Sequence, residues 1–157
     1  MKRFAGLSLT FMGAISFASC AQNEPVQYPK EPINMTIQNS DTATLGAGCF
    51  WCVEAIYQQV NGVITVQSGY SGGHVKNPSY YEVVRSNTGH LEAVEVVYDS
   101  GKISYEKIAR TFFEIHDPTQ TNGQGPDIGE QYLSAAFVSS DKERETIKKL
   151  IVELEAN

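Results

Sequence analysis

From residue 41 onward the apolar positions recur in two rhythms, and each change of rhythm marks an element. Thr42 to Ala47 is a short β-prone run and predicts a strand, after which Phe50, Val53, Ile56/Tyr57 and Val60 fall at the spacing of one helix face. Val63 to Tyr70 reads as a second strand ending in the turn Ser71-Gly72-Gly73, and a short helix is predicted over Tyr80 to Arg85. Leu91 to Tyr98 is a third strand, in which Ala93 and Glu95 alternate with Val94 and Val96. Ser104 can cap a helix whose apolar face is Ile108, Phe112 and Ile115, and Asp117-Pro118 stops it. Tyr132 to Val138 is strand-like, and Ser140 with Glu143 spells a capping box for a last helix over Asp141 to Glu155. Strands alternate with helices throughout, which puts the chain in the α/β class or in an interleaved α+β sandwich.

The first forty residues follow neither rhythm. Lys2 and Arg3 precede an apolar run from Phe4 to Phe17, then small Ala18 and Ser19, then Cys20, which is the layout of a secretory signal. The run is shorter than the roughly 18 residues a membrane-spanning helix needs. A cysteine directly after the small residues resembles a bacterial lipoprotein signal, so we expect residues 1–20 to be a lipoprotein-type signal peptide with Cys20 as the lipidation site. Plain secretion with an incidental Cys20 is the alternative. Residues 21–40 hold three of the six prolines and read as a linker, leaving 41–157 as one folded domain. The protein is thus expected in the bacterial cell envelope, held to the membrane by an N-terminal lipid anchor.

Charge narrows the partners. With Lys2 and Arg3 set aside, ten basic residues face eighteen acidic ones, and no basic cluster could follow a phosphate backbone, so nucleic acid is not expected as a partner. His74, His90 and His116 lie at no metal-ligand spacing to the cysteines, and counting from Asp117 puts Asn122 where a calcium loop needs glycine and Ile128 where it needs glutamate, so no metal is expected. Ser71-Gly72-Gly73 lacks the lysine and helix context of a phosphate-binding loop.

The chemistry concentrates in residues 48–52, Gly-Cys-Phe-Trp-Cys, which carry two of the three cysteines and the only tryptophan. A disulfide between Cys49 and Cys52 would close too short a loop to remove much chain entropy, which favours a redox role over a structural one. The strand-to-helix junction puts Cys49 in the first helical turn, where unpaired amides and the helix dipole favour a thiolate. Cys52, three residues on, shares that face and is close enough to react with it. Two other readings stand beside this one: Cys49, Phe50 and Trp51 could be ordinary core, and Cys52 a small buried hydrophobe.

Gly48-Cys49-Phe50-Trp51 followed by Val53-Glu54 resembles the signature of the A-type peptide-methionine sulfoxide reductases. "GVITVQSGYSGG" at 62–73, "NPSYYEVV" at 77–84, "TGHLEAVEVVYD" at 88–99 and "FFEIHDPTQTNGQGPDIGEQY" at 112–132 agree with the same family in the same order. The resemblance implies that family's ferredoxin-like fold and reduction of the S epimer of methionine sulfoxide, in proteins or free. It also implies no bound cofactor and an external thioredoxin-like dithiol as reductant. Carried over residue by residue, it makes Cys49 the nucleophile, Glu92 the acid, and Tyr80 and Tyr132 the hydroxyls around the sulfoxide oxygen. Phe50 and Trp51 would hold the substrate methyl group, with Asp127 supporting the substrate-binding hydroxyls from behind. Many relatives have glycine at position 52 and a recycling cysteine near the C-terminus, so Cys52 is expected to take over the recycling step. Chains of this family usually continue past a final helix into an aromatic-rich tail, so this sequence is expected to be a C-terminally truncated piece.

The residue types suit the reaction. A sulfoxide oxygen leaves only if it is protonated while a thiolate attacks the sulfur, so a carboxyl must stay protonated near neutral pH, and burial arranges that. Tyrosine hydroxyls can donate to the oxygen as charge develops on it. Two rivals come from other classes. A thioredoxin-type oxidoreductase would share the Cys-x-x-Cys spacing but leave Tyr80, Glu92 and Tyr132 unexplained, and a non-catalytic lipoprotein module would need no reactive thiol.

Overall fold

A computed structural model describes residues 39–85 and 87–156. The predicted signal peptide, its Cys20 and almost all of the predicted linker lie outside these residues. Six strands and four α-helices follow in the order β1 Ser40–Gly46, α1 Phe50–Tyr57, β2 Val63–Ser71, α2 Tyr80–Val84, β3 Leu91–Asp99, α3 Tyr105–Glu114, β4 Gly123–Gln124, β5 Asp127–Ile128, β6 Ala135–Phe137 and α4 Asp141–Glu155.

The main sheet has the order β2-β3-β1-β6 with every neighbouring pair antiparallel. Taken with α1 and α3, its chain order is β-α-β-β-α-β, the split arrangement of ferredoxin-like folds, as the sequence resemblance implied. Register explains which face is packed. Leu45 opposes Val94 and Ala43 opposes Val96, so the buried side chains of β1 and β3 point the same way, and β2 adds Val66 opposite Val96. Phe50, Val53 and Tyr57 of α1 and Ile108 and Phe112 of α3 close over that face to form one core. The Tyr57 hydroxyl donates to the Ile108 carbonyl at 2.8 Å, so the one polar atom that α1 brings inside has its partner on α3. Thr44, Gln67 and Glu95, adjacent across three strands on the opposite face, line an open hollow.

Element ends follow local chemistry, and three of them differ from the sequence reading. The helix-face pattern 50–60 overshoots, because α1 stops at Tyr57 and its Ile56 is exposed. The predicted strand 132–138 contracts to Ala135–Phe137, the stretch that pairs with the edge of β1. Tyr132 instead closes a 3-10 turn over Glu130–Tyr132, opened by Gly129 at φ 145°, a backbone angle that side chains resist. At the start of α4 the capping box is only half formed: Ser140 accepts from the Glu143 amide, but the Glu143 carboxylate turns to the Ser139 amide and hydroxyl. A complete box sits at α2, where Ser79 and Glu82 bond reciprocally. That box holds a five-residue helix too short to stand by itself.

Candidate active site

Two close approaches turn the chain from β1 into α1. At Gly46 a side chain would come within 2.9 Å of the Glu92 carbonyl, and at Gly48, φ 83°, it would run into the Gln124 side chain at 2.6 Å. Only glycine allows both the turn and the contact with the 117–128 loop. The turn delivers Cys49 to the helix cap, one residue earlier than the first-turn position expected from sequence. Its carbonyl accepts from the amides of Cys52, 3.1 Å, and Val53, 3.3 Å, so Cys49 ends the turn and begins the helix at once.

Cys49 is half-buried and Cys52 exposed, and both are free thiols. Cys52 is therefore not a buried hydrophobe. Interaction with the Cys49 side chain is the largest influence on the Cys52 thiol and, with slight burial and the charge on Asp127, holds it above its ordinary value. Cys49 caps the helix and Cys52 is its third residue, so the two share the first turn. Phe50 is in the core at 7% exposure, but Trp51 is 66% exposed, so the run Cys49-Phe50-Trp51 is not ordinary core either. Their rings lie 5.5 Å apart at 39°, forming a bent apolar wall beside the cysteine.

Glu92, at the start of β3, is 3% exposed. Its Oε2 accepts from the Phe50 amide at 3.1 Å, a bond from the helix that begins at Cys49 to the carboxylate on the neighbouring strand. Burial holds the Glu92 carboxyl above the usual range; the Phe50 amide pulls it down and the charge on Asp127 pushes it up. Tyr80 opens α2 and Tyr132 closes the 3-10 turn, one from each side. The Tyr132 hydroxyl is made a weaker acid first by burial and then by the charge on Glu92, while its bond with Gln131 acts the other way.

Cys49, Phe50, Trp51, Tyr80, Glu92, Asp127 and Tyr132 together line one open pocket of about 150 Å³. These are all the described site residues named from the sequence except Cys52, which stands outside the lining next to Cys49. Asp127 reaches the lining from the hairpin of β4 and β5. Two larger hollows, about 310 Å³ on the open sheet face and about 420 Å³ between α3, α4 and β6, contain neither cysteine in their lining.

Sequence reading missed Tyr70. It stands directly opposite Glu92 in the β2–β3 register, its ring is 5.7 Å from that of Phe50, and burial followed by the charges of Glu92, Tyr80 and Tyr132 weakens its acidity. Period-two counting from buried Val66 along β2 would have put Tyr70 on the Phe50 side of the sheet. The histidines have other work: His116 bridges the Phe112 carbonyl and the Ser134 hydroxyl, and His90 is held between Gly73 and Val75. Glu54 ties α1 to β2 by accepting from the Ser68 hydroxyl.

A buried carboxyl held above its usual range, a thiol at a helix cap with a second thiol in the same turn, and two tyrosines around a cavity of this size form a site suited to thiol attack on a small polar group with protonation of its oxygen. Residues 41–157 match the family model described as peptide methionine sulfoxide reductase. The chain is similar to curated proteins named peptide methionine sulfoxide reductase MsrA from Natronomonas pharaonis, 52% identical over 73% of this chain and 64% of that protein, and from Saccharolobus solfataricus, 51% identical over 73% and 65%. The chain therefore spans less than two thirds of the length of these relatives. Among solved structures it resembles reduced Mxr1 from Saccharomyces cerevisiae, 32% identical with a TM-score of 0.71 over 76% of this chain and 70% of that one. It also resembles methionine sulfoxide reductase A of Corynebacterium diphtheriae, 34% identical with a TM-score of 0.68 over 75% and 59%. A match that runs from the second residue of β1 to the end of the chain, with sequence identity near one half, settles the lineage: the protein belongs to the peptide methionine sulfoxide reductase family.

Proposed function

We propose that the protein reduces the S epimer of methionine sulfoxide, in proteins or free, to methionine. The observation that carries this reading is the Glu92 carboxyl, 3% exposed and bonded through the Phe50 amide to the helix that Cys49 caps. In the proposed step the Cys49 thiolate attacks the sulfoxide sulfur while Glu92 protonates the oxygen, and Tyr80 and Tyr132 donate to that oxygen as charge grows on it. Phe50 and Trp51 take the S-methyl group, whose small size suits the pocket. The oxygen then passes as hydroxyl from the substrate sulfur to the Cys49 sulfur while the bond between the two sulfurs breaks and leaves its electron pair on the substrate, so methionine departs and Cys49 becomes a sulfenic acid. Cys52 then attacks the Cys49 sulfur, releasing water and forming a Cys49–Cys52 disulfide. An external dithiol of thioredoxin type takes over that disulfide by exchange, so no bound cofactor enters the cycle.

Support for the second thiol as the recycling group is its place in the helical turn that Cys49 caps and its exposure, which a reductant needs. The bland alternative, a fold without a reactive thiol, leaves the paired cysteines and the buried acid without a purpose. The N-terminal sequence extends the reading: with Cys20 acylated and residues 21–40 as a tether, the domain would repair oxidised envelope proteins. Incubation with excess S-epimer methionine sulfoxide and no reductant tests the core of the proposal. One equivalent of methionine per chain and a Cys49–Cys52 disulfide in the peptide map are expected. No methionine, or methionine formed equally by Cys49→Ser, would refute it.

A further inference from the structure

We infer that His90 is a positioning residue: its imidazole clamps the 72–79 loop onto the start of β3 and so sets where Tyr80 stands relative to Glu92. The inference rests on the reading of Tyr80 as a donor to the sulfoxide oxygen. The 72–79 stretch joins β2 to α2 without helix or strand of its own, yet it must deliver Tyr80 to the pocket wall. His90 lies two residues before Glu92, so whatever His90 holds is referenced to the acid.

The clamp is bidentate. The Gly73 amide donates to His90 Nδ1 at 3.4 Å, and His90 Nε2 meets the Val75 carbonyl at 2.8 Å. An amide can only donate and a carbonyl can only accept, so the ring must be neutral with its hydrogen on Nε2. Buried Thr88 completes the anchor: its hydroxyl accepts from the His90 amide at 3.2 Å and its carbonyl from the His74 amide at 3.0 Å. The ring lies so close on the loop that a side chain at Gly73 would come within 2.2 Å of His90 Cδ2 and 2.5 Å of the Thr88 carbonyl. The link from clamp to tyrosine is short and stiff. After Val75 come Lys76, Asn77 at φ 51°, Pro78 with its ring-fixed φ, and Ser79, whose reciprocal bonds with Glu82 lock the first turn of α2 at Tyr80. Displacing Gly73 and Val75 therefore moves Tyr80, and a donor displaced by about an ångström loses much of its value to the reaction.

A double-mutant cycle with single-turnover methionine formation at saturating S-epimer substrate separates positioning through Tyr80 from a general structural role. His90→Ala should slow the step about tenfold, and His90→Asn, which keeps an acceptor near the Nδ1 position for Gly73, should recover part of that loss. In a Tyr80→Phe background His90→Ala should cost no more than about twofold, because the hydroxyl it positions is already gone. An equal loss in both backgrounds would overturn the clamp while leaving the site reading intact. A wild-type rate in Tyr80→Phe would overturn the role of Tyr80 and the inference with it. If His90→Ala does not fold, His90→Asn carries the same cycle. Independently, the ¹⁵N shifts of the His90 ring in the full chain should report the Nε2–H tautomer, and the Nδ1–H tautomer would contradict the clamp.

Discussion

Replacing Glu92 by Gln separates the two things a buried carboxyl does here, and the two should move in opposite directions. The side chain is 3% exposed, and its Oε2 accepts from the Phe50 amide at 3.1 Å. Gln has the same shape and keeps an acceptor for that amide, so packing and the link to α1 survive. It cannot deliver a proton. Methionine formation in a single turnover should therefore fall about 10²-fold or more at neutral pH, the usual scale of a general acid. The pH profile should change in form as well. Burial holds the Glu92 carboxyl above its usual range, so the wild-type rate should decline on the alkaline side as pH rises through that raised value, and Glu92→Gln should lack this limb. Stability moves the other way. A carboxyl raised in the folded state contributes nothing adverse below its unfolded value. As pH climbs from that value to the raised one, the folded state loses about 1.4 kcal/mol for each unit of the rise. Glu92→Gln carries no such loss, so it should match wild type in acid and exceed it in urea unfolding at neutral pH. A variant that retains the alkaline limb, or keeps activity within a few-fold of wild type, would show that the proton comes from elsewhere.

Cys52→Ser should form one equivalent of methionine at close to the wild-type rate and then stall with Cys49 as a trappable sulfenic acid; full turnover with thioredoxin as sole reductant would leave Cys52 without a recycling role. Cys20→Ser should release the full-length protein from bacterial membranes without altering the activity of the domain, and detergent partitioning that ignores this substitution would remove the lipid anchor from the account.

What could be read from the sequence, and what could not, divides along the range of the interactions involved. Strands β2 and β3 and helices α3 and α4 were legible within a residue or two because their periodicity and caps are local, as at Ser104, which accepts from the Lys107 amide. The end of α1 and the extent of β6 were not, since α1 stops where the core stops and β6 is only as long as the edge of β1 that pairs with it. The identity of the site residues came from motif resemblance, but their convergence is a product of topology. Glu92 and Tyr70 face each other only because β2 and β3 pair in one register. The place of Asp127 depends on a hairpin of two-residue strands that no periodicity could announce. The Ser79-Glu82 box stands in plain letters in front of the short helix predicted from Tyr80 and explains where α2 begins, whereas Glu143 forms its second bond one residue from where the motif put it.

The central claim, that this cavity directs a Cys49 thiolate at a methionine sulfoxide, is tested most directly by stereochemistry. In the proposed reading the S-methyl group lies against Phe50 and Trp51, the oxygen faces Glu92, Tyr80 and Tyr132, and Cys49 attacks the sulfur, three fixed directions that only one epimer can satisfy; the family resemblance implies that it is S. The measurement is consumption of the separated S and R epimers of a methionine sulfoxide peptide by the full chain with a dithiol in excess. The S epimer should disappear and the R epimer remain; equal consumption of both, or a preference for R, would contradict the proposed chemistry.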